Sequence, residues 1–217
     1  MRSSILSVGL AALVLGAAAQ AETFTFISED PFAGSGAAMP GRQVVGGETF
    51  IDFNPATDVF ALGGSPFAFL NSISFANGTI ENIPAAGTNV AVLRTFDNDN
   101  NPVTPFGAGN AANLLAERIT TPGPGLFVYF NSGLDLPRLV YSTDLSDNTA
   151  DLKILFRMTN PEFAGAAGRD AMQQFTESNF AVAAPIPEPS TILLLGSGAA
   201  FLAFVRAGKR RGKRDKA

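Results

Sequence analysis

Asp97, Asp99 and Asn101 alternate along the run Asp97-Asn98-Asp99-Asn100-Asn101, the densest set of oxygen-bearing side chains in this 217-residue chain. Calcium takes about six to eight oxygen ligands, and alternating Asp and Asn side chains in a tight loop can supply several of them. The spacing copies the opening of an EF-hand loop. The copy then fails, because the sixth loop position is Pro102 rather than Gly and the twelfth is Ala108 rather than Glu. The default reading is a polar turn between strands, where Asn and Asp bond to their own backbone. Asp144, Asp147 and Asp151 form a second acidic set, as metal ligands or as a glycosidase pair. Glycoside hydrolysis needs two carboxylates roughly 5–10 Å apart across a cleft. An acidic domain offers such pairs by chance, and a solvated loop is the default here too.

The chain contains no Cys and no His. Disulfides, zinc-thiolate sites and cysteine nucleophiles are excluded, as are Ser-His-Asp catalysis and most transition-metal sites. Gly46-Gly47 and Gly63-Gly64 read as turns or bulges, since no Lys-Ser/Thr follows either to make a phosphate loop. There is no Trp to stack on a sugar, and the two Tyr, Tyr129 and Tyr141, sit inside apparent strands. No catalytic residue and no cofactor stands out, calcium being the single candidate, and the expectation is a protein that is not an enzyme.

Both ends carry targeting signals. Met1-Arg2-Ser3-Ser4 precedes an apolar stretch from Ile5 to Ala19, and Ala19-Gln20-Ala21 is a small-x-small site. These are the parts of a secretory signal peptide, 1–21, read by the Sec translocon and cut by signal peptidase after Ala21. At the other end, Pro185-Ile186-Pro187-Glu188-Pro189-Ser190-Thr191 leads into an apolar run from Ile192 to Val205. A basic cluster follows: Arg206, Lys209, Arg210, Arg211, Lys213, Arg214 and Lys216. The prolines hold the chain extended. The run of about 14–16 residues is short of the roughly 20 of a comfortable span. The positive-inside rule keeps the basic end in the cytoplasm. The expected tail, 184–217, has a hydrophobic helix at about 190–205 that holds it in the membrane and a stop-transfer end at 206–217.

Pro187-Glu188-Pro189-Ser190-Thr191, then Ile192-Leu193-Leu194-Leu195-Gly196-Ser197-Gly198, then the Arg/Lys cluster, resembles the PEP-CTERM sorting domain of Gram-negative bacteria. The resemblance spans about 30 of the 217 residues. It implies export across the inner membrane and processing at Pro187-Glu188-Pro189, with Ser190 alongside, by exosortase, a membrane-embedded transpeptidase-like enzyme. It also implies an association with exopolysaccharide or biofilm.

Residues 22–183 must form the exported domain. Residues 22–185 hold seven basic side chains against seventeen acidic ones, a net charge of −10 that the basic tail masks in the whole-chain value of −4. An acidic surface disfavours nucleic acid. Gly and Pro are frequent, at 22 and 14, as are 19 Phe. Thr23–Ile27 alternates with period two, and Phe67–Leu70, Ser72–Phe75, Asn89–Phe96, Leu126–Phe130, Leu139–Tyr141, Leu152–Met158 and Phe180–Val182 read as further strands. Asn77-Gly78, Pro122–Gly125, Asn131–Gly133 and Asn160-Pro161 read as turns. Gly168 to Phe175 suits one short helix, and Asn113–Ile119 is ambiguous between strand and helix. The expected fold is all-β, an antiparallel sandwich or jelly roll.

The function expected is a cell-surface or matrix protein with a structural or interaction role. The alternatives are a carbohydrate- or calcium-binding module exported the same way and a carboxylate-dependent hydrolase.

Overall fold

The computed structural model describes residues 20–35, 41–97, 99, 101, 103–160 and 164–183. Ten strands occur among them: β1 Thr23–Ile27, β2 Val44–Val45, β3 Thr49–Ile51, β4 Val59–Gly63, β5 Phe75–Gly78, β6 Val90–Leu93, β7 Gly125–Asn131, β8 Leu136–Ser142, β9 Leu152–Met158 and β10 Phe180–Val182. Helices α1 (Ala108–Arg118) and α2 (Gly165–Ala171) are short. The domain is mainly β, as its composition led us to expect.

The strands make two sheets. The smaller has the order β1-β4-β10, and the larger has the order β2-β9-β8-β7-β6-β5 with β3 also paired to β9. The expected antiparallel pairing holds for β7/β8 and β8/β9 only; β1/β4, β10/β4, β2/β9, β3/β9, β5/β6 and β6/β7 are parallel. Parallel neighbours need a crossover rather than a tight turn. Residues 79–89 supply one, and the stretch carrying α1 supplies another.

Two apolar layers result. Phe53, Phe60 and Leu62 of the small-sheet side pack with Val128, Phe130, Leu139, Phe156 and Met158 of the large sheet. Phe53 stacks on Phe60 with ring centres 4.1 Å apart, and Phe60 meets Phe156 at 5.3 Å. On the other face of the large sheet lie Ala91, Leu93, Phe127, Tyr129 and Val140, covered by Ala108, Ala111, Ala112 and Leu115 of α1. Those four helix positions recur at the spacing of one helical face. Buried on both faces, β6 is apolar throughout, the pattern of a central strand with parallel neighbours, and β7, parallel to β6 and antiparallel to β8, is buried along its whole length and carries the apolar run Leu126–Phe130.

Local chemistry accounts for the places where structure and expectation part. Phe67–Leu70 belongs to a 3₁₀ helix, Ser65–Ser72, because Pro66 in its first turn fixes a helical φ and Phe67 and Leu70 fall on one buried side. Asn77-Gly78 ends strand β5 instead of turning. Asn77 Nδ2 donates to the carbonyls of Met172 and Phe175 at 3.0 Å each, so a turn residue serves as an edge clasp. The short helix expected over 168–175 begins at Gly165 and continues as a 3₁₀ turn, Met172–Gln174, with Met172 and Phe175 in the core. The ambiguous stretch 113–118 is helical, part of α1.

Candidate functional site

In the Asp97–Asn101 stretch Asp99 and Asn101 are exposed and Asp97 is half-buried, and their side chains fold the backbone locally. Asp97 Oδ1 accepts the backbone N–H of Asp99 at 3.1 Å, Asp99 Oδ1 that of Asn101 at 2.9 Å, and Asn101 Oδ1 that of Val103 at 3.0 Å. Thr104 Oγ1 donates to Asp99 Oδ2 at 2.8 Å. Hydrogen bonds from the Asn101 backbone and the Thr104 hydroxyl hold the Asp99 carboxyl below its usual range. Three side-chain oxygens that a cation would need are thus engaged in consecutive Asx turns. No group of three or more acidic side chains placed to hold a metal occurs among the described residues.

The second acidic set behaves alike. Asp144 Oδ1 accepts from the backbone N–H and hydroxyl of Ser146, both at 2.8 Å. Asp147 Oδ1 accepts from the N–H and hydroxyl of Thr149 at 2.7 and 2.8 Å, and those bonds lower its carboxyl pKa. Asp151 Oδ1 accepts the Gln43 N–H at 2.9 Å. A general acid needs a carboxyl held protonated near neutrality; the environment of Asp147 pushes it the other way.

Arg42 is what the acidic loop is built around. Its guanidinium donates to the carbonyls of Ala150 (3.0 Å), Gly109 (2.9 Å) and Asp147 (3.3 Å) and to Asn113 Oδ1 (2.7 Å). One side chain thereby ties the approach to β2, the start of α1 and the loop before β9. These partners are scattered along the chain, and no spacing rule connects them.

The cleft with the most varied chemistry lies beside the Asp97 loop. It encloses about 270 Å³ and is lined by Phe96, Asp97, Asn101, Thr104, Ser132 and Arg169, among others. The Arg169 guanidinium sits 4.1 Å from the Phe96 ring centre and 5.6 Å from that of Phe130. Phe96 keeps 39% of its surface exposed. Sequence reading put Asp97 and Asn101 in one loop but passed over Phe96 and Arg169, which only the fold brings together.

Ala21 is exposed and irregular, one residue before the backbone of Glu22 is captured by the domain. Ala19, Pro187, Glu188, Pro189, Ser190, Arg206, Lys209, Arg210 and Arg211 lie outside the described residues, as do the apolar runs at both ends. Among the described residues no helix is long and apolar enough to cross a membrane. The chain's ties to the domain run in parallel: β1 leads in from residue 22 and β10 leads out toward the tail on either side of β4. The entry to β1 and the exit from β10 therefore lie at opposite ends of the small sheet.

Comparison with protein families places the PEP-CTERM protein-sorting motif on residues 185–211. The chain carries the PEP-CTERM protein-sorting motif, placed where the Pro-Glu-Pro, apolar and basic segments follow one another. Such a motif marks a secreted protein whose C-terminal tail is recognised and processed by an exosortase-type enzyme. Compared with curated proteins and with solved structures, the chain finds no match.

Proposed function

We propose that this protein is delivered to the surface of a Gram-negative cell or to its matrix, and that it acts there as a structural or interaction component linked to exopolysaccharide, without catalysis of its own. The observation that carries this is the sorting motif at residues 185–211. Sec and signal peptidase act first, removing residues 1–21. The apolar run then holds the tail in the membrane with its basic end in the cytoplasm until exosortase cuts near Pro187-Glu188-Pro189. Release leaves an acidic β domain outside the cell. The commitment of Asp97, Asp99, Asp144 and Asp147 to local backbone bonds, and of Asp151 to the distant Gln43 N–H, supports a non-catalytic role.

The test is replacement of Pro187, Glu188 and Pro189 by Ala in a strain that contains exosortase. The expected result is loss of the mass decrease that marks processing, with retention in the membrane fraction. Unchanged size and unchanged release would defeat the reading.

A second reading, a saccharide-binding module, is favoured by the cleft at Phe96. A ring face suits the C–H face of a sugar, and Arg169, Asn101 and Thr104 offer polar groups around it. Glycan-array binding that F96A abolishes would support it, and an array with no bound glycan would remove it.

A further inference from the structure

Asp58 is a buried carboxylate, 3% exposed, at the foot of β4. Its Oδ2 accepts the Asn54 N–H at 2.8 Å, and its Oδ1 accepts the Thr57 hydroxyl at 2.8 Å. The remaining donor to Oδ1 is the backbone nitrogen of Glu22, at 3.0 Å. The Glu22 carbonyl in turn accepts the Val59 N–H at 2.9 Å, and Asn179 Nδ2 fixes the Asp58 carbonyl from the other side at 2.8 Å. Both ion pairs found among the described residues belong to Glu48, so neither supplies Asp58 with a cation. A buried carboxylate met only by neutral donors is costly.

Glu22 is also the residue that removal of a 21-residue signal peptide would leave first. Gln20 and Ala21, just before it, are exposed and irregular, so the bond to be cut stands clear of the sheet. Hydrolysis of the Ala21–Glu22 peptide bond consumes one water. The hydroxyl goes to the Ala21 carbonyl carbon and the proton to the Glu22 nitrogen, and the resulting amine takes a second proton from solvent. An amide N–H facing Asp58 becomes an ammonium with three donors and a positive charge.

We propose that Asp58 is a receptor for the α-ammonium group that signal-peptide removal creates at Glu22, so that processing locks the first strand into the exported domain. The proposal rests on reading Ala19–Ala21 as the signal-peptidase site. It gives the cleavage position a structural consequence: a cut one residue to either side would leave no ammonium at the carboxylate. The gain arises because a charge-assisted bond within a low-dielectric site is stronger than its neutral counterpart.

N-terminal sequencing of the exported protein comes first, and a start at Glu22 is expected. The chain from Glu22 to Ala217 is then prepared in detergent with a free Glu22 amine, and beside it the chain that keeps Ala21. Each is made with Asp58 and with D58N. The free Glu22 amine should raise the melting temperature by about 5 °C over the chain extended by Ala21, and D58N should erase that difference. Should D58N fail to fold, the cyanate reactivity of the Glu22 amine in the Asp58 chain decides. Native protein should react slower than urea-unfolded protein by on the order of tenfold or more, since the amine must first leave Asp58. A first residue other than Glu22 overturns the cleavage reading and the pairing in the cell together. A Glu22 start with equal melting temperatures, or with equal cyanate rates, overturns the pairing alone.

Discussion

Arg138 on β8 lies directly opposite Arg157 on β9, and the Glu48 carboxylate joins them. Like charges facing each other across an antiparallel pair repel. Glu48 Oε1 removes the repulsion by accepting from Arg138 Nη2 at 2.8 Å and from Arg157 Nη2. The Arg157 guanidinium also covers the Phe50 ring at 4.5 Å. Because Glu48 is placed just before β3, the contact holds that edge strand to β9.

Loss of the Glu48 charge should therefore be costly. The side chain is 7% exposed, against 11% for Arg138 and 20% for Arg157, so E48Q leaves two largely buried guanidinium groups face to face. We expect a loss of about 3 kcal/mol, the low end for a broken buried pair because Arg157 is partly wet. That corresponds to a melting point lower by roughly 6–12 °C. The acid limb should change as well. Burial alone would raise the Glu48 carboxyl, but its own backbone N–H, the Arg157 hydrogen bond and the charges of Arg138 and Arg157 outweigh burial and lower it. A carboxyl depressed in the folded state stabilises above its unfolded value of about 4.3 and loses that contribution as pH falls through the lower folded value. E48Q should flatten the stability curve between the unfolded value and the lower folded one. Chemical denaturation from pH 7 to pH 3 checks both, and an acid limb as steep in E48Q as in the parent would contradict the assignment.

Gly64 should tolerate no side chain. Its φ is +104°, and a Cβ placed on it would come within 2.0 Å of the Ser28 carbonyl oxygen. That approach exists because β1 runs beside β4 to its end, where Ser28 N–H donates to Gly63 O at 2.9 Å. Neither backbone can yield without breaking the pairing. G64A should lose about 4 kcal/mol or fail to accumulate as soluble protein. Melting of G64A within about 2 °C of the parent would show that the two segments can part freely.

Which elements the sequence disclosed follows from where their signals lay. β1 announces itself by alternation, β7 by the uninterrupted run Leu126–Phe130, and β9 by the apolar stretch Ile154–Phe156 set between Lys153 and Arg157. β4 went unread although it is the centre of the small sheet: Val59–Gly63 carries no alternation and merges into Gly64 and Pro66. The pairing was illegible for a different reason. Phe180 aligns with Phe60 and Thr23 with Val59 across long stretches of chain, and a strand's own pattern does not name a distant parallel partner. The Asp97 loop was legible as a turn because Asx bonding is local, two residues apart each time. Arg42, Glu48 and Arg169 act only through neighbours far away in sequence, which is why no motif announced them.

Calcium should leave the domain unmoved. The Asp97, Asp99 and Asn101 oxygens accept backbone N–H groups from residues two further on, and a cation would have to break those turns to gather them. A ligand that binds only the folded state raises stability by RT ln(1 + [L]/Kd). At roughly 5 mM calcium the melting temperature should stay within about 1 °C of its value in chelator. A rise of several degrees that D99N abolishes would establish the site that the turn geometry argues against.

The basic end of the tail should decide whether the sorting step happens at all. The apolar run Ile192–Val205 is 14 residues, about 21 Å if helical, against a hydrocarbon layer of about 30 Å. Such a run would hold its place weakly by hydrophobicity, so the proposed stop in the membrane rests on the charges that follow it. Replacing Arg206, Lys209, Arg210 and Arg211 together by Ser or Gln removes four of the seven basic side chains there while leaving Pro187-Glu188-Pro189 intact. The tail should then slip through the membrane before exosortase meets it, and the released protein should keep its full tail by mass. Restoring four Lys at those positions should restore processing, because the requirement is charge rather than side-chain shape. Normal trimming of the neutral variant would show that the Pro-Glu-Pro segment is captured without any stop in the membrane.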